Sequence, residues 1–458
     1  MADCSSLFYA AGRDDTFHAR ITPSEEQIAG FQATWNDLGA YLQETARSAH
    51  GVEVQTLLQG SYRLHTQIRP RQDENYDVDL GVYVTVASLR VTTSAGLRDF
   101  IGRLARTYAA DLENSPGSVE SKKSCERVMI ARGFHIDLPV YARSDEENAQ
   151  RLAVLPGDWV ESDARKVIDW FHEHTSGWPL ALREVRYMKS WAMRWYDATT
   201  RPSSMLLSAM VVEALRGKRD DLGNSRDDIA FVAVADYCAT LLNSRAPLPN
   251  PANPDDDLLQ ELDRNARTHL ASALKRASAT GLEALNEESE LQAAGLWEDV
   301  FGSSFPCPAA VEQQGTTGGT LPARFPSPEV HIQVRRRSGD TSPILQGQNR
   351  IQDVPLGFTV SFRLTNYDRY PRGSEVSWTV RNTGREAEDA LCLDFSCGTG
   401  TTAAPLSQYN GSHEMDCVVR LDGHLIAARR VPVSVKGDKS LIRLPRGDRG
   451  PRRRGRKR

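Results

Sequence analysis

The fold is decided by the stretch from Leu57 to Val84, which reads LLQGSYRLHTQIRPRQDENYDVDLGVYV. Gly60 and Ser61 open a polar, basic run, and sixteen residues after Ser61 come Asp77 and Asp79, which lead into an apolar run. Residues at this spacing point to the same face of a strand. Aspartate is depleted in strands, so two carboxylates on one strand face indicate a bound cation. A hard divalent ion that prefers oxygen ligands fits this pair.

Two further features strengthen this interpretation. Glycine lets a backbone come close to a phosphate, and the Ser61 hydroxyl together with free N–H groups can bind one. A third carboxylate, Asp137, lies inside the short apolar run FHIDLPVY from Phe134 to Tyr141. An unpaired buried aspartate is costly, and a shared metal ion removes that cost. The alternative is a solvated strand end that follows an ordinary loop.

These residues resemble the nucleotidyltransferase superfamily of the polymerase-beta type, whose pattern is Gly-Ser, then Asp-x-Asp or Asp-x-Glu, then a single Asp on a later strand. More narrowly, they resemble the bacterial cGAS-like enzymes (CD-NTases), which make cyclic oligonucleotide second messengers in antiphage defence (CBASS). The resemblance implies that Asp77, Asp79 and Asp137 are catalytic and hold Mg²⁺, with Mn²⁺ as the alternative ion. It also implies that Gly60 and Ser61 bind the donor nucleoside triphosphate.

Around this stretch the pattern predicts a small mixed sheet with helices packed on it. A long helix is expected to begin with Thr22 as N-cap and to end near Ser48. A further helix is expected over residues 97–112. From Ser162 onward the chain is predicted to be helical. The candidate helices are residues 162–175, 180–198, 203–217, 226–243, 257–279 and 281–300.

Two residues of these helices are candidates for nucleotide binding. In the resembled family a lysine just before a tryptophan faces the nucleotide phosphates, and Lys189 matches this position. A solvated basic face is the alternative for Lys189. The resemblance also implies that Ser204, in the Pro-Ser-Ser opening of the next helix, meets the donor nucleotide. Ser203 is equally suited to cap that helix.

The C-terminal third has a different pattern. Residues 307–328 lack apolar periodicity and are predicted to be a linker. Short strand-like runs separated by Asn and Gly turns follow and predict an Ig-like β-sandwich of about seven strands. The segments Trp378 to Gly384 and Tyr409 to Cys417 resemble the adenylyl/guanylyl and SMODS C-terminal sensor (AGS-C) domain, which is appended to enzymes of this class.

Composition restricts the setting in which the chain works. The 458 residues are too many for one ordinary core. The stretch Arg443 to Arg458 holds nine Lys and Arg against one Asp, so the remainder is more acidic than the net charge of −4 indicates. The seven cysteines lack regular spacing, and neither a signal-peptide pattern nor a long apolar stretch is present. We therefore expect a cytoplasmic protein without a membrane partner.

Together these observations predict an α+β chain: a polymerase-beta-type nucleotidyltransferase with a helical lobe, followed by a small Ig-like β-sandwich. The predicted divisions are a nucleotidyltransferase at 1–306 (catalytic lobe about 22–145, helical lobe about 158–306), a linker at 307–328, a sensor domain at 329–438 and a basic tail at 439–458.

The expected activity is Mg²⁺-dependent joining of ATP, with GTP as a second substrate, into a cyclic oligonucleotide that activates a separate effector protein. The sensor domain is expected to bind a ligand that the sequence does not identify. The basic tail is expected to contact nucleic acid or simply to solubilise the chain. Two alternatives remain: a nucleotidyltransferase acting on RNA or on a small-molecule acceptor, and an inactive nucleotide-sensing module.

Overall fold

The computed structural model describes residues 3–87, 92–112, 117–131, 133–144, 149–306, 325–337 and 342–437. The chain forms two compact units, Met1–Cys307 and Pro308–Arg458. Residues 307–324 of the predicted linker and the whole predicted tail lie outside the described residues. Among the described helices, none combines the length and the apolar character needed to cross a bilayer.

The first unit contains an eight-stranded mixed sheet in the order β3-β4-β5-β2-β6-β7-β8, with β1 also paired to β2. Strand β2 runs parallel to β5 and β6, and the other neighbours are antiparallel. The strands are β1 Val54–Gln59, β2 Tyr76–Thr85, β3 Ser118–Ser121, β4 Glu126–Ala131, β5 Phe134–Leu138, β6 Val140–Ser144, β7 Ala149–Val154 and β8 Asp158–Val160. The mixed sheet was predicted, but the pattern did not indicate β6, β7 and β8.

Helices α1 to α5 belong to the same part of the chain. They are α1 Ser5–Phe8, α2 Phe17–Ile21, α3 Glu25–His50, α4 Gly60–Arg63 and α5 Ser94–Ala110. The predicted cap of the long helix α3 was wrong by two residues. The Ser24 hydroxyl accepts from the Gln27 N–H at 3.3 Å, and the Gln27 side chain accepts from the Ser24 N–H at 3.1 Å. Thr22 instead ends α2, since its hydroxyl donates to the His18 carbonyl at 2.7 Å.

The helical lobe follows the sheet. Its helices are α6 Ala164–Thr175, α7 Pro179–Trp195, α8 Ser204–Leu215, α9 Arg219–Leu222, α10 Asp227–Asn243, α11 Arg264–Asn286 and α12 Glu290–Phe301. The predicted break near residue 280 does not occur. Gly281 lies inside α11, where a Cβ atom would come within 2.8 Å of the Trp297 ring. This glycine is therefore needed for close packing of α11 against α12 and does not end a helix.

A short hairpin is formed by β9 Pro249–Asn250 and β10 Asn253–Asp257. Asp257 then starts a 3₁₀ turn over Leu258–Glu261, and its carboxylate accepts from the Leu259 N–H at 3.0 Å. Asp257 is thus the N-cap of this turn, because its carboxylate binds a backbone N–H group that has no partner within the turn.

The second unit is a two-sheet β-structure with nine described strands, against about seven predicted. One sheet has the order β12-β11-β14-β17 and the other β13-β19-β18-β15-β16. The elements are β11 Val330–Arg335, β12 Leu345–Gln348, β13 Ile351–Pro355, β14 Thr359–Leu364, β15 Glu375–Arg381, α13 Arg385–Asp389, β16 Asp394–Thr399, β17 Thr402–Ala403, β18 Gly411–Leu421 and β19 His424–Lys436. Apolar residues of both sheets, among them Ile332, Phe362, Trp378 and Met415, form one buried cluster.

A buried ion-pair network crosses the larger sheet. Asp416 is fully buried and accepts from Arg381 Nε at 3.0 Å and from Arg430 Nε at 2.8 Å. Replacing Asp416 by Asn leaves two buried guanidinium groups without their shared counter-charge. We expect Asp416→Asn to lower the free energy of unfolding by roughly 3–5 kcal/mol, measured by urea denaturation followed by circular dichroism.

The matched control is Asp389→Asn, which removes an exposed partner of Arg385 on α13. An exposed pair at this spacing contributes little, so the control should unfold at the wild-type midpoint. Equal midpoints for the two variants would contradict the structural role assigned to Asp416.

Candidate active site

The Gly-Ser turn joins β1 to α4 beside the predicted metal strand. β1 pairs with β2 so that Gln59 lies opposite Asp79. Gly60 follows with a φ of 59°, a left-handed conformation that favours glycine. A Cβ atom at Gly60 would lie 1.9 Å from Asp79 Oδ2. Only glycine fits here, because any side chain would clash with the Asp79 carboxylate and would be strained at this φ.

The three predicted carboxylates converge on one face of two neighbouring strands. In the parallel pair β2–β5, Asp77 lies opposite His135 and Asp79 lies opposite Asp137. Side chains two residues apart share a strand face, so all four groups project to the same side. The Asp77 side chain is 48% exposed, whereas that of Asp137 is 10% exposed. The cluster therefore opens to solvent at Asp77.

Like charges in this cluster perturb Asp79. Burial, followed by the negative charges of Asp77 and Asp137, raises the pKa of Asp79 well above its usual range. A bound cation would reverse this effect by stabilising the ionised carboxylate.

Among the described residues, one group of side chains could hold a metal ion, and it adds His135 to two of the three predicted carboxylates. Potential ligand atoms of Asp77, His135 and Asp137 all lie within 4.8 Å of one another. His135 Nε2 is 3.0 Å from Asp77 Oδ1 and 3.9 Å from Asp137 Oδ1. Asp79 instead packs against Gly60. The carboxylate oxygens suit Mg²⁺ or Mn²⁺ and so fit the expected ion, whereas an imidazole is a ligand that Zn²⁺, Cu²⁺ and Ni²⁺ prefer.

Asp137 also has a cationic partner on the next strand. Arg127 lies opposite Asp137 in the antiparallel pair β4–β5. Its Nε and a terminal nitrogen donate to the two carboxylate oxygens at 2.7 and 2.8 Å. Burial alone would raise the pKa of Asp137, but the hydrogen bonds and charge of Arg127 outweigh it and lower that pKa. Asp137 is consequently held ionised and fixed in orientation.

Lys189 faces this cluster from the helical lobe. Its side chain is almost fully buried, and Nζ donates to Thr66 Oγ1 at 3.1 Å and to the Thr66 carbonyl at 3.2 Å. Burial, then the charge of Arg186, lowers the pKa of Lys189 from 10.5 to about 7. The solvated basic face considered for Lys189 is therefore wrong.

One cleft between the two lobes is lined by Ser61, Asp77, Lys189 and Ser204. The structure thus brings together residues that are up to 143 positions apart. Ser203 is the cap of α8, since its hydroxyl accepts from the Leu206 N–H at 3.1 Å. This leaves Ser204 at the cleft surface.

Three polar groups at the site were missed from sequence. His135 was not singled out, although it precedes Asp137 by two residues and so shares its strand face. Arg127 carried no local signal, because its role depends on the β4–β5 register. Arg201 lines the cleft and forms an ion pair with Glu74, which also lines it. That pair joins positions 127 residues apart and leaves no trace in local sequence.

Comparison with known proteins gives two family matches. Residues 54–141 match the family described as "Cyclic GMP-AMP synthase DncV-like, nucleotidyltransferase domain". Residues 316–436 match the "Adenylyl/Guanylyl and SMODS C-terminal sensor domain". The first match contains Gly60, Ser61 and all three predicted carboxylates.

The chain is similar to curated proteins along most of its length. It is 26% identical over 452 residues to a cyclic GMP-AMP synthase of Escherichia albertii, covering 96% of this chain and 98% of that protein. It is 20% identical over 371 residues to a cyclic AMP-AMP-GMP synthase of Enterobacter hormaechei, covering 68% of this chain and 96% of that protein.

Solved structures share the fold. The Vibrio cholerae DncV cyclic AMP-GMP synthase in complex with the linear intermediate 5′ pppA(3′,5′)pG superposes with a TM-score of 0.57 at 18% identity, covering 67% of this chain and 97% of that chain. The GTP-bound form of the same protein superposes with a TM-score of 0.57 at 19% identity and the same coverage.

The carboxylate cluster leads to a first prediction. We expect the double variant Asp77→Asn/Asp79→Asn to stay folded, with a melting temperature at or above wild type, because the repulsion between the carboxylates is relieved. Nucleotide transfer should be lost, since the amides cannot hold a divalent ion. Transfer is measured with radiolabelled ATP, and folding by thermal melting. The control is Asp73→Asn, whose side chain is 79% exposed; it should transfer at the wild-type rate. Wild-type transfer by the double variant would remove the metal assignment.

Lys189 leads to a second prediction, from the sign of its pKa change. Between pH 7 and 10.5 the folded chain binds fewer protons at Lys189 than the unfolded chain does. Below pH 7 the folded state therefore bears the full free-energy cost of burying the ammonium. This cost decreases as the pH rises above 7. Lys189→Met removes this cost. Its melting temperature should exceed that of wild type by more at pH 6 than at pH 9.

The control for this experiment is Lys166→Met, which alters an exposed lysine on α6. It should melt at the wild-type temperature at both pH values. A Lys189→Met difference that is the same at pH 6 and pH 9 would show that Lys189 does not titrate in this range.

Proposed function

We propose, on the premise that this chain is a bacterial cGAS-like nucleotidyltransferase with an AGS-C sensor domain, that it joins ATP, alone or with GTP, into a cyclic oligonucleotide second messenger. The observation that carries the proposal is the end-to-end similarity to a cyclic GMP-AMP synthase, which includes both the catalytic segment and the sensor segment. A transferase that shared only the catalytic core would lack the second match.

Four residues of the cleft region are assigned to binding of the donor nucleotide. Gly60 lets the backbone approach the triphosphate, and Ser61 lies near the start of α4, where helix N–H groups point at an anion. Lys189 and Ser204 face the same cleft from α7 and α8. We assign to them the phosphates of the donor nucleotide, which Lys189 binds as a cation.

The carboxylates hold and orient the reacting groups. We assign Asp77 and Asp79 to the ion that binds the donor phosphates, and Asp137 to a second ion and to deprotonation of the attacking hydroxyl. His135 adjoins Asp77 and Asp137 and adds a ligand or an orienting contact. When bound, Mg²⁺, or Mn²⁺ in its place, stabilises the attacking and leaving oxygens of the displacement.

Several partners follow from the same proposal. The product would activate a separate antiphage effector protein, and the AGS-C domain would bind the ligand that controls synthesis. The basic tail would supply any nucleic-acid contact, with the salt dependence of phosphate binding. We place the reaction in the cytoplasm, since all six cysteines of the described residues are free, as is typical of a reducing compartment.

The test is product analysis. Purified protein is incubated with Mg²⁺, radiolabelled ATP and each other NTP in turn, and the products are treated with alkaline phosphatase and identified by mass spectrometry. We expect a phosphatase-resistant product, because a ring has no terminal phosphate. It should form without RNA or a small-molecule acceptor. The Asp77→Asn/Asp79→Asn variant is the negative control.

Other outcomes separate the alternatives. One is that the products are entirely phosphatase-sensitive, and another is that they form only with added RNA or a small-molecule acceptor. Either result would contradict the cyclic product and identify a nucleotidyltransferase that acts on another acceptor. The remaining outcome is that the wild-type chain binds ATP but yields no product with any nucleotide, and that a variant lacking residues 307–458 yields none either. This result would identify an inactive nucleotide-sensing module.

A further inference from the structure

Helix α7 borders two separate depressions, the cleft between the two lobes and a groove within the helical lobe. Lys189 and Met193 line the candidate active-site cleft. Trp191 and Trp195 line a second groove, together with residues of α11 and α12. Each pair is spaced by four residues, so each forms a row along one side of the helix. The second groove therefore lies on a different side of α7 from the catalytic residues.

One part of the groove is an aromatic wall formed by Trp191, Trp195 and Tyr196. Trp195 is 52% exposed, which is unusual for so large an apolar ring. Its Nε1 donates to the Val300 carbonyl at 3.0 Å, which fixes the ring against the end of α12. The Tyr196 ring packs edge-on against Trp191 and against His269, with centroid distances of 6.1 and 6.0 Å. An ordered, partly exposed aromatic surface is suited to stacking against another flat ring.

The groove has room for such a ring. Helix α11 presents Ala273 and Ala277 to it, and alanine side chains fill little of the space. The cavity has a volume of about 250 Å³. A planar group can therefore lie against the aromatic residues within this volume.

Arg276 gives the groove a positive charge. Arg276 lines it, is exposed, and has no hydrogen bond or ion pair among the residues that the structure describes. Its neighbour Lys275 differs, since Lys275 Nζ pairs with Asp236 at 2.5 Å. Arg194 does not line the groove, and its Cζ lies 5.3 Å from the centre of the Trp195 ring. Asp299 also lines the groove and would accept a hydrogen bond from an amino group.

We propose that this groove is an accessory nucleotide site that binds a purine mononucleotide, with the base on the aromatic wall and the phosphate at Arg276. A flat ring alone would leave Arg276 unused, and a phosphate alone would leave the Trp195 and Tyr196 rings unused. An amino-bearing purine such as adenine also presents a donor for Asp299. The site is independent of the transfer reaction, because none of its residues lines the catalytic cleft.

The test is titration of the full chain with AMP by isothermal calorimetry, without divalent ions. Adenosine and ribose 5-phosphate are titrated in parallel and should each bind at least about tenfold more weakly, because each supplies half of the contacts. Trp195→Ala and Arg276→Gln should each weaken AMP binding by about tenfold. Trp195→Phe keeps a stacking ring and should stay within a few-fold of wild type.

Two control variants make the result decisive. Lys275→Gln removes the adjacent positive charge on α11 and should bind AMP as wild type does. Lys189→Met disables the catalytic cleft and should also leave AMP binding unchanged. All variants are first shown to be folded by circular dichroism. AMP binding that survives both groove substitutions, that is lost in Lys189→Met instead, or that is undetectable at millimolar AMP would overturn the proposal.

Discussion

The mutual repulsion of Asp77, Asp79 and Asp137 is the physical constraint on which the rest of the site depends. The parallel pairing of β2 and β5 sets these carboxylates side by side, and burial removes much of the water that would screen them. Close carboxylates of this kind do not all ionise unless positive charge is supplied. The surrounding protein supplies part of it, through Arg127 on one side and Lys189 on the other. The remaining deficit of positive charge is the reason that we propose the cluster as a site for a divalent ion.

The position of Lys189 depends on how firmly α7 is held. Arg183, six residues before it, is buried and donates to Asp227 at 2.6 and 2.8 Å. The Tyr187 hydroxyl donates to the same carboxylate at 2.7 Å. These contacts join α7 to the start of α10, while the Lys189–Thr66 bonds join it to the segment that follows the Gly-Ser turn. The two lobes therefore meet at Lys189 through buried, directional contacts, and the cleft has a defined width there.

The sequence was informative where the chemistry is local and uninformative where it depends on pairing. The spacing of Asp77 and Asp79 identified a strand face directly, because alternation is a property of the strand itself. The capping residue of α3 was misassigned, because Thr22 and Ser24 are both good caps and only the preceding helix α2 decides between them. Strands β6 to β8 were missed, since Pro139 interrupts the apolar run and β8 is only three residues long. Arg127 is not visible from sequence, since a one-residue change in register would turn it away from Asp137.

The contact between Arg127 and Asp137 at first conflicts with a metal-binding role for the aspartate, but the geometry of the carboxylate resolves the conflict. An ionised carboxylate has about four lone-pair directions on its two oxygens. Arg127 uses one on each oxygen and the Cys125 thiol uses a third, so one remains for a cation. Ligating carboxylates are commonly held by such outer hydrogen bonds, which fix their orientation. The pKa of Asp137 is lowered by the same contact, so the carboxylate is already ionised when a cation arrives. Arg127 thus positions Asp137 and keeps it ionised, within 4.8 Å of the potential ligand atoms of Asp77 and His135.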